Sequence, residues 1–133
     1  MASTKTESSN RKLRVLIVDD CATIRLFNKM IVETTRRVVT QVVEDGKEAV
    51  DICKGGAVFD LILMDRNMPI MNGIQATKEL REMGVTSMIV GVTDANTTSE
   101  KQEFMDAGLD DFYSKPLKLA AVQAFIQRIE KKL

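Results

Sequence analysis

Five side chains in this sequence have the types to do chemistry together. They are the paired acids Asp19 and Asp20, a single acid at Asp65, a hydroxyl at Thr93 and an amine at Lys115. Each closes a strand-like stretch. Asp19 and Asp20 follow Val-Leu-Ile-Val, Asp65 follows Leu-Ile-Leu-Met, Thr93 follows Met-Ile-Val-Gly-Val, and Lys115 follows the weaker stretch 110–114. Alone, each has a plain explanation. Asp19 or Asp20 could cap a helix, Asp65 could open a turn, Thr93 could be a strand-end hydroxyl and Lys115 a solvated lysine. Gathered in one pocket they mean more. Three carboxylates repel one another and need a cation, and hard oxygen donors select Mg²⁺ or Ca²⁺. An amine and a hydroxyl beside them are donors for an anion. The set suits a phosphoryl group, with the protein supplying position and charge neutralisation. A carboxylate can itself be the nucleophile, giving an aspartyl-phosphate.

Convergence depends on the elements that carry these residues. Short continuous apolar runs ending on polar residues read as buried parallel strands. The stretches between them read as helices. Ile24, Phe27 and Ile31 form an inward stripe with Arg25, Asn28 and Lys29 outward. Residues 38–43 are β-branched and read as a second strand, followed at Asp45-Gly46 by a helix carrying Ala49, Val50 and Ile52 that ends at Gly55-Gly56. Met68-Pro69 and Asn72-Gly73 mark a loop before a third helix with Ile74, Leu80 and Met83 inward. Thr97 and Glu100 have capping-box spacing, and Gly108 closes the helix they open. Residues 110–114 make the fifth strand. The last helix turns Val122, Phe125, Ile126 and Ile129 inward. Five strands alternating with five helices predict an α/β fold, a doubly wound parallel sheet covered on both faces. Ligands of such sheets sit outside the carboxyl ends of the strands, where all five residues lie.

Whole-chain properties exclude several classes. The 133 residues suit one domain, expected at 13–133 behind a disordered tail at 1–12 that is Ser/Thr-rich and lacks a secretory apolar stretch. With 19 basic and 19 acidic side chains the net charge is zero, so nucleic acid is not an expected partner. There is no His, and Cys21 and Cys53 do not have metal-ligand spacing, which excludes a zinc site and a disulfide framework. This favours a reducing compartment, the cytoplasm or the nucleus. No apolar run nears the roughly 20 residues of a membrane span, so no membrane association is expected.

Ordered motifs across residues 14–133 resemble the receiver domains of two-component response regulators. They are Val-Leu-Ile-Val-Asp-Asp at 15–20, Asp-Leu-Ile-Leu-Met-Asp at 60–65, Met-Pro with Asn-Gly at 68–73, Val-Gly-Val-Thr at 90–93, Ala-Gly at 107–108 and Lys-Pro at 115–116. The resemblance implies a flavodoxin-like (CheY-like) sheet of order 2-1-3-4-5. It implies Asp65 as phosphoacceptor, and Mg²⁺ held by Asp20, Asp65 and the main-chain carbonyl of Asn67, with Asp19 acting through water. Lys115 would pair with phosphoryl oxygens, and Thr93 would swing inward to the phosphoryl group. Phe112 would be the aromatic switch, and Lys115-Pro116 a cis peptide. The implied partner is a histidine-containing phosphotransfer protein or a histidine kinase, and the chain is expected to be a monomer. The layout and residues 88–93 look most like plant type-C response regulators, so the chain reads as a signalling phosphoacceptor rather than an enzyme.

Three positions depart from the family pattern. Asp94 follows the switch hydroxyl where receivers carry a small residue; its carboxylate would repel a phosphoryl group or point to solvent. Phe112 has no hydroxyl to hydrogen-bond outward. Cys21 reads as a small buried filler, since acidic neighbours disfavour a reactive thiolate; a redox-sensitive residue is the other reading. Among other classes, an aspartate-nucleophile phosphatase would need a second Asp two residues after Asp65, where Asn67 stands. A flavin carrier would need a Ser/Thr/Gly-rich loop where Asp19-Asp20 stands. A scaffold-only receiver would lack a key site residue.

Overall fold

Buried apolar runs and amphipathic stretches alternate along the chain as the pattern predicts. The structure, a computed structural model, describes residues 11–35, 37–94 and 97–132. The elements are β1 (Leu13–Val18), α1 (Ala22–Glu33), β2 (Val38–Val43), α2 (Gly46–Lys54), β3 (Leu61–Met64), α3 (Gly73–Glu82), β4 (Met88–Thr93), α4 (Thr98–Asp106), β5 (Asp111–Ser114) and α5 (Leu119–Glu130). All strands pair in parallel in the order β2-β1-β3-β4-β5, the expected doubly wound topology. The fifth strand starts at Asp111, one residue later than its sequence suggests.

Period-2 alternation sorts the core into two layers. On one face Leu16, Val18, Ile62, Met64 and Ile89 pack with Val50 of α2, Leu80 of α3 and Phe104 of α4. On the other, Val15, Ile17, Leu61, Leu63, Val90 and Val92 pack with Val32 of α1 and Val122, Phe125 and Ile126 of α5. The central strands are buried on both sides, which is why they read as unbroken apolar runs rather than as alternating ones.

The helix starts follow local chemistry. Asp45 and Asn72 cap α2 and α3 by accepting from the Glu48 and Gln75 amides, each at 2.9 Å. Thr97 caps α4 by accepting from the Glu100 amide at 3.1 Å while its hydroxyl donates to the Glu100 carboxylate at 2.7 Å. Gly56 and Gly108 take left-handed φ of 104° and 123° just past α2 and α4, where a side chain would be strained. The Lys115-Pro116 bond is cis, as the resemblance implies.

Two helix faces differ from expectation. In α1, Asn28 is 4% exposed, whereas Phe27 is 46% exposed beside Leu26 and Met30. The inward stripe runs Ile24–Asn28–Val32 at spacings of four, and Val32 is fully buried. Assigning faces by polarity turned the helix so that Phe27 replaced Asn28. In α3, Met83 sits at the C-cap and is exposed, not inward. The expected tail at 1–12 lies outside the described residues except for Arg11, which pairs with Asp60 at 3.0 Å, and Lys12, which is exposed. Leu133 also lies outside them. Among the described residues no helix is long and apolar enough to cross a membrane.

Candidate functional site

The sheet order sets β1 beside β3, β3 beside β4 and β4 beside β5. Register aligns their carboxyl ends, with Val18 opposite Met64 and Thr93 opposite Ser114. Asp19 and Asp65 are therefore neighbours just past paired strand ends, and the Asp65 amide donates to the Val18 carbonyl at 3.0 Å. One carboxylate oxygen from each of Asp19, Asp20 and Asp65 lies within 4.8 Å of the others. Lys115 Nζ sits 3.1 Å from Asp19 Oδ2 and 3.3 Å from Asp65 Oδ1. Thr93 is fully buried at the end of β4, and its carbonyl accepts from the Lys115 amide at 2.9 Å.

The three acids differ in environment. Asp19 is 2% exposed and both its oxygens are engaged, Oδ1 by the Cys21 amide at 2.9 Å and Oδ2 by Lys115. Asp20 is exposed. Asp65 is 5% exposed, and its Oδ1 accepts from the Arg66 amide at 2.9 Å. Burial, followed by the Asp19 charge, pushes the Asp65 carboxyl up to about 6 despite Lys115 and the Arg66 amide. For Lys115 burial opposes the charged amine, but Asp65 and Asp19 together outweigh it and hold its pKa above the ordinary lysine value. The cluster is thus short of positive charge. Its all-oxygen donors fit a hard divalent cation such as Mg²⁺, which would relieve the repulsion recorded in the Asp65 shift.

Backbone close approach holds the loop after Asp65. A Cβ on Gly73 would collide with the Asp65 carbonyl oxygen, so only glycine lets α3 start against it. The Gly73 amide donates to the Arg66 carbonyl at 2.8 Å and the Gly46 amide to the Met71 carbonyl at 3.0 Å, pinning the loop between the starts of α3 and α2. Within it Ile70 takes φ 69° while the Met71 amide bonds the Pro69 carbonyl at 2.7 Å, a γ-turn of the strained positive-φ kind.

The structure brings Asp19, Asp20, Asp65 and Lys115 together and places Thr93 on the adjoining strand end. Asn67 is exposed on the loop, its side-chain oxygen accepting from Arg66 at 3.1 Å. Phe112 is half-buried against the first core layer, with Lys101 Nζ 5.5 Å from its ring centroid. Asp94 is exposed, in line with the solvent-facing alternative. Cys21 is also exposed and not a buried filler. It is the N-cap of α1, outside the first turn, where the helix has not yet turned a side chain toward the core.

Sequence reading missed three features. Arg25 donates to the Asp19 carbonyl at 2.8 Å and so braces the acidic pair. Arg66 pairs with Glu100 at 3.5 Å and Glu103 at 3.1 Å, linking the loop after Asp65 to α4. The signal for that link was the three-residue spacing of the two glutamates, which puts them on one helix face. Finally, a cleft of about 310 Å³ opens beside Lys115, lined by Thr23, Ile24, Phe27, Asn28, Pro116 and Leu117.

Comparison with known proteins agrees with this geometry. The family model described as response regulator receiver domain matches residues 15–127. The chain is 47% identical over 118 residues to the Arabidopsis thaliana protein called two-component response regulator 24, covering 89% of this chain and 84% of that protein. This bears out the expected plant likeness. A co-crystal structure of the Saccharomyces cerevisiae histidine phosphotransfer signaling protein Ypd1 and the receiver domain of its downstream response regulator Ssk1 is similar at 26% identity and TM-score 0.80, covering 91% of this chain and 90% of that chain. The receiver domain of the sensor histidine kinase PA1611 from Pseudomonas aeruginosa PAO1, solved with a magnesium ion coordinated in the active site cleft, is similar at 25% identity and TM-score 0.79, covering 90% of this chain and 98% of that chain.

Proposed function

Because the chain belongs to the response regulator receiver domains, we propose that Asp65 takes a phosphoryl group from a phosphohistidine on a phosphotransfer protein or a histidine kinase. The observation that carries this is the buried Asp65 carboxylate held 3.3 Å from Lys115 within an acidic triad. A solved receiver in complex with a phosphotransfer protein supports the choice of donor.

In the transfer, one Asp65 oxygen attacks phosphorus. The P–N bond to the donor imidazole breaks, and its electron pair leaves with the nitrogen. Lys115 meets the phosphoryl oxygens with its ammonium, exchanging its ion pair with Asp65 for one with the incoming group. Thr93 turns its hydroxyl to the same group, and Phe112 follows it inward to alter the face formed by α4, β5 and α5. Asp20, Asp65 and the Asn67 carbonyl would hold Mg²⁺, with Asp19 acting through water. That ion supplies charge neutralisation for the phosphoryl oxygens. Asn67 stands near the water that later hydrolyses the aspartyl-phosphate. On α1 the exposed Leu26, Phe27 and Met30 offer the donor an apolar landing strip, and Phe27 also lines the cleft beside Lys115.

We read residues 13–133 as the receiver unit, acting as a monomer in the cytoplasm or nucleus and draining or passing on the signal. Labelled phosphotransfer protein, incubated with the chain with and without Mg²⁺, should lose label to wild type only with the metal. Asp65→Asn should take none. Undiminished labelling of Asp65→Asn would overturn the assignment. Hydrolysis of small phosphate esters is not favoured, because Asn67 stands where such enzymes carry a general-acid Asp.

A further inference from the structure

Arg66 makes more contacts than a loop residue needs. Its main-chain amide donates to Asp65 Oδ1. The guanidinium donates to Asn67 Oδ1 at 3.1 Å and to Glu103 Oε1 at 3.1 Å, and lies 3.5 Å from Glu100 Oε2. Its side chain is 17% exposed, and Nε is buried without a partner. A buried N–H left unpaired is destabilising, so the carboxylates and the amide, not Nε, keep the side chain there. Glu100 also receives the hydroxyl of the N-cap Thr97 at 2.7 Å. One planar fork therefore joins the residue two past the acceptor to the first two turns of α4. An ammonium, a point charge without that fork, could not serve three acceptors in one plane.

From this we infer that Arg66 is a positioning residue: it fixes the Asn67 carboxamide and makes that hold depend on α4, so α4 sets the lifetime of the aspartyl-phosphate. The inference rests on the phosphoacceptor reading above. In hydrolysis, water attacks phosphorus, the P–O bond to Asp65 breaks, its electron pair returns to the carboxylate, and the water's oxygen and protons leave as inorganic phosphate or pass to solvent. A carboxamide held in one orientation presents that water better than a freely rotating one. A partner that captures Glu100 and Glu103 would loosen Arg66, free Asn67 and lengthen the phosphorylated state.

The test uses the full chain, phosphorylated by phosphoramidate with Mg²⁺ and then freed of donor, with first-order loss of phosphate followed alongside thermal melting. Wild type that takes no phosphate would remove the phosphoacceptor reading itself, before the present inference is reached. Given loading, Arg66→Met should slow loss on the order of threefold, and Arg66→Lys should not restore it. Glu100→Gln/Glu103→Gln should shift the rate the same way, and it carries the test if Arg66→Met fails to fold. The Arg66→Met/Asn67→Ala double variant should lose phosphate no more slowly than Asn67→Ala alone. Rates within about 1.5-fold of wild type, or Arg66 and Asn67 effects that multiply, would reduce Arg66 to a structural tie and overturn the inference.

Discussion

The acids at the two ends of the sheet are treated in opposite ways. At the amino ends of the strands each is matched. Asp60 accepts from both Arg11 terminal nitrogens and from the Arg14 amide. Asp110 accepts from Arg81 and the Ile89 amide, each at 2.8 Å, and Asp111 pairs with Arg128 at 2.7 Å. Arg81 also donates to the carbonyls of Gly108, Val85 and Ser87, and Ser87 Oγ donates to the buried Phe59 carbonyl. At the carboxyl ends three acids cluster, two of them share one lysine, and one of those is pushed to a pKa of about 6. One pole ties the helices to the sheet. The other holds charge out of balance, the mark of a candidate functional site.

Substitutions should separate the two poles. The largest effect belongs to Gly73→Val, whose side chain must displace the Asp65 carbonyl. It should cost more than about 3 kcal/mol and abolish phosphoryl acceptance, read by thermal melting and by labelling. Arg81→Ala strips four acceptors at the opposite pole. It should cost about 2–4 kcal/mol while leaving labelling at low temperature intact, and a loss of labelling without a fall in stability would break the division. Asp65→Asn should raise the stability of metal-free protein at pH 7 by about 1–3 kcal/mol, because it deletes a charge the fold opposes.

The pH dependence sharpens the same point. The folded-state pKa of Asp65, about 6, lies above its ordinary value, so the folded form binds its proton more tightly than the unfolded chain does. The stabilisation from this group is complete below the ordinary carboxylate range and is lost as pH rises through about 6. Melting of metal-free wild type should show this loss, and Asp65→Asn should not. Mg²⁺ should flatten the slope by favouring the ionised form. The smallest effect is expected at Lys47→Ala, whose exposed pair with Asp51 should leave the melting temperature unchanged.

Strand ends and the polar residues that close them were legible because a central parallel strand is apolar on both faces and stops abruptly at a polar side chain. Asp19, Asp65 and Thr93 could each be placed that way, and the glycine turns at Gly56 and Gly108 carried their own conformational signature. Faces of α1 were harder to read. Asn28 is buried by helical geometry, against its polarity, and Phe27 is displaced to the surface in exchange. Cys21 shows the same limit at a helix start, where exposure depends on a fraction of a turn. Arg66 was harder to read for a different reason: its glutamate partners lie more than thirty residues away, and their three-residue spacing marks a common helix face but not what the packing of α4 brings against it.

Ile70 carries a further consequence. A β-branched residue at φ 69° that is 79% exposed gains little from burial and costs about 1–2 kcal/mol in backbone strain. Glycine would remove that strain. Selection for thermal robustness alone should therefore replace Ile70 early, whereas selection for phosphoryl uptake from a protein donor should keep an apolar side chain at this exposed tip. Running both selections on one library would show whether stability or recognition governs this position.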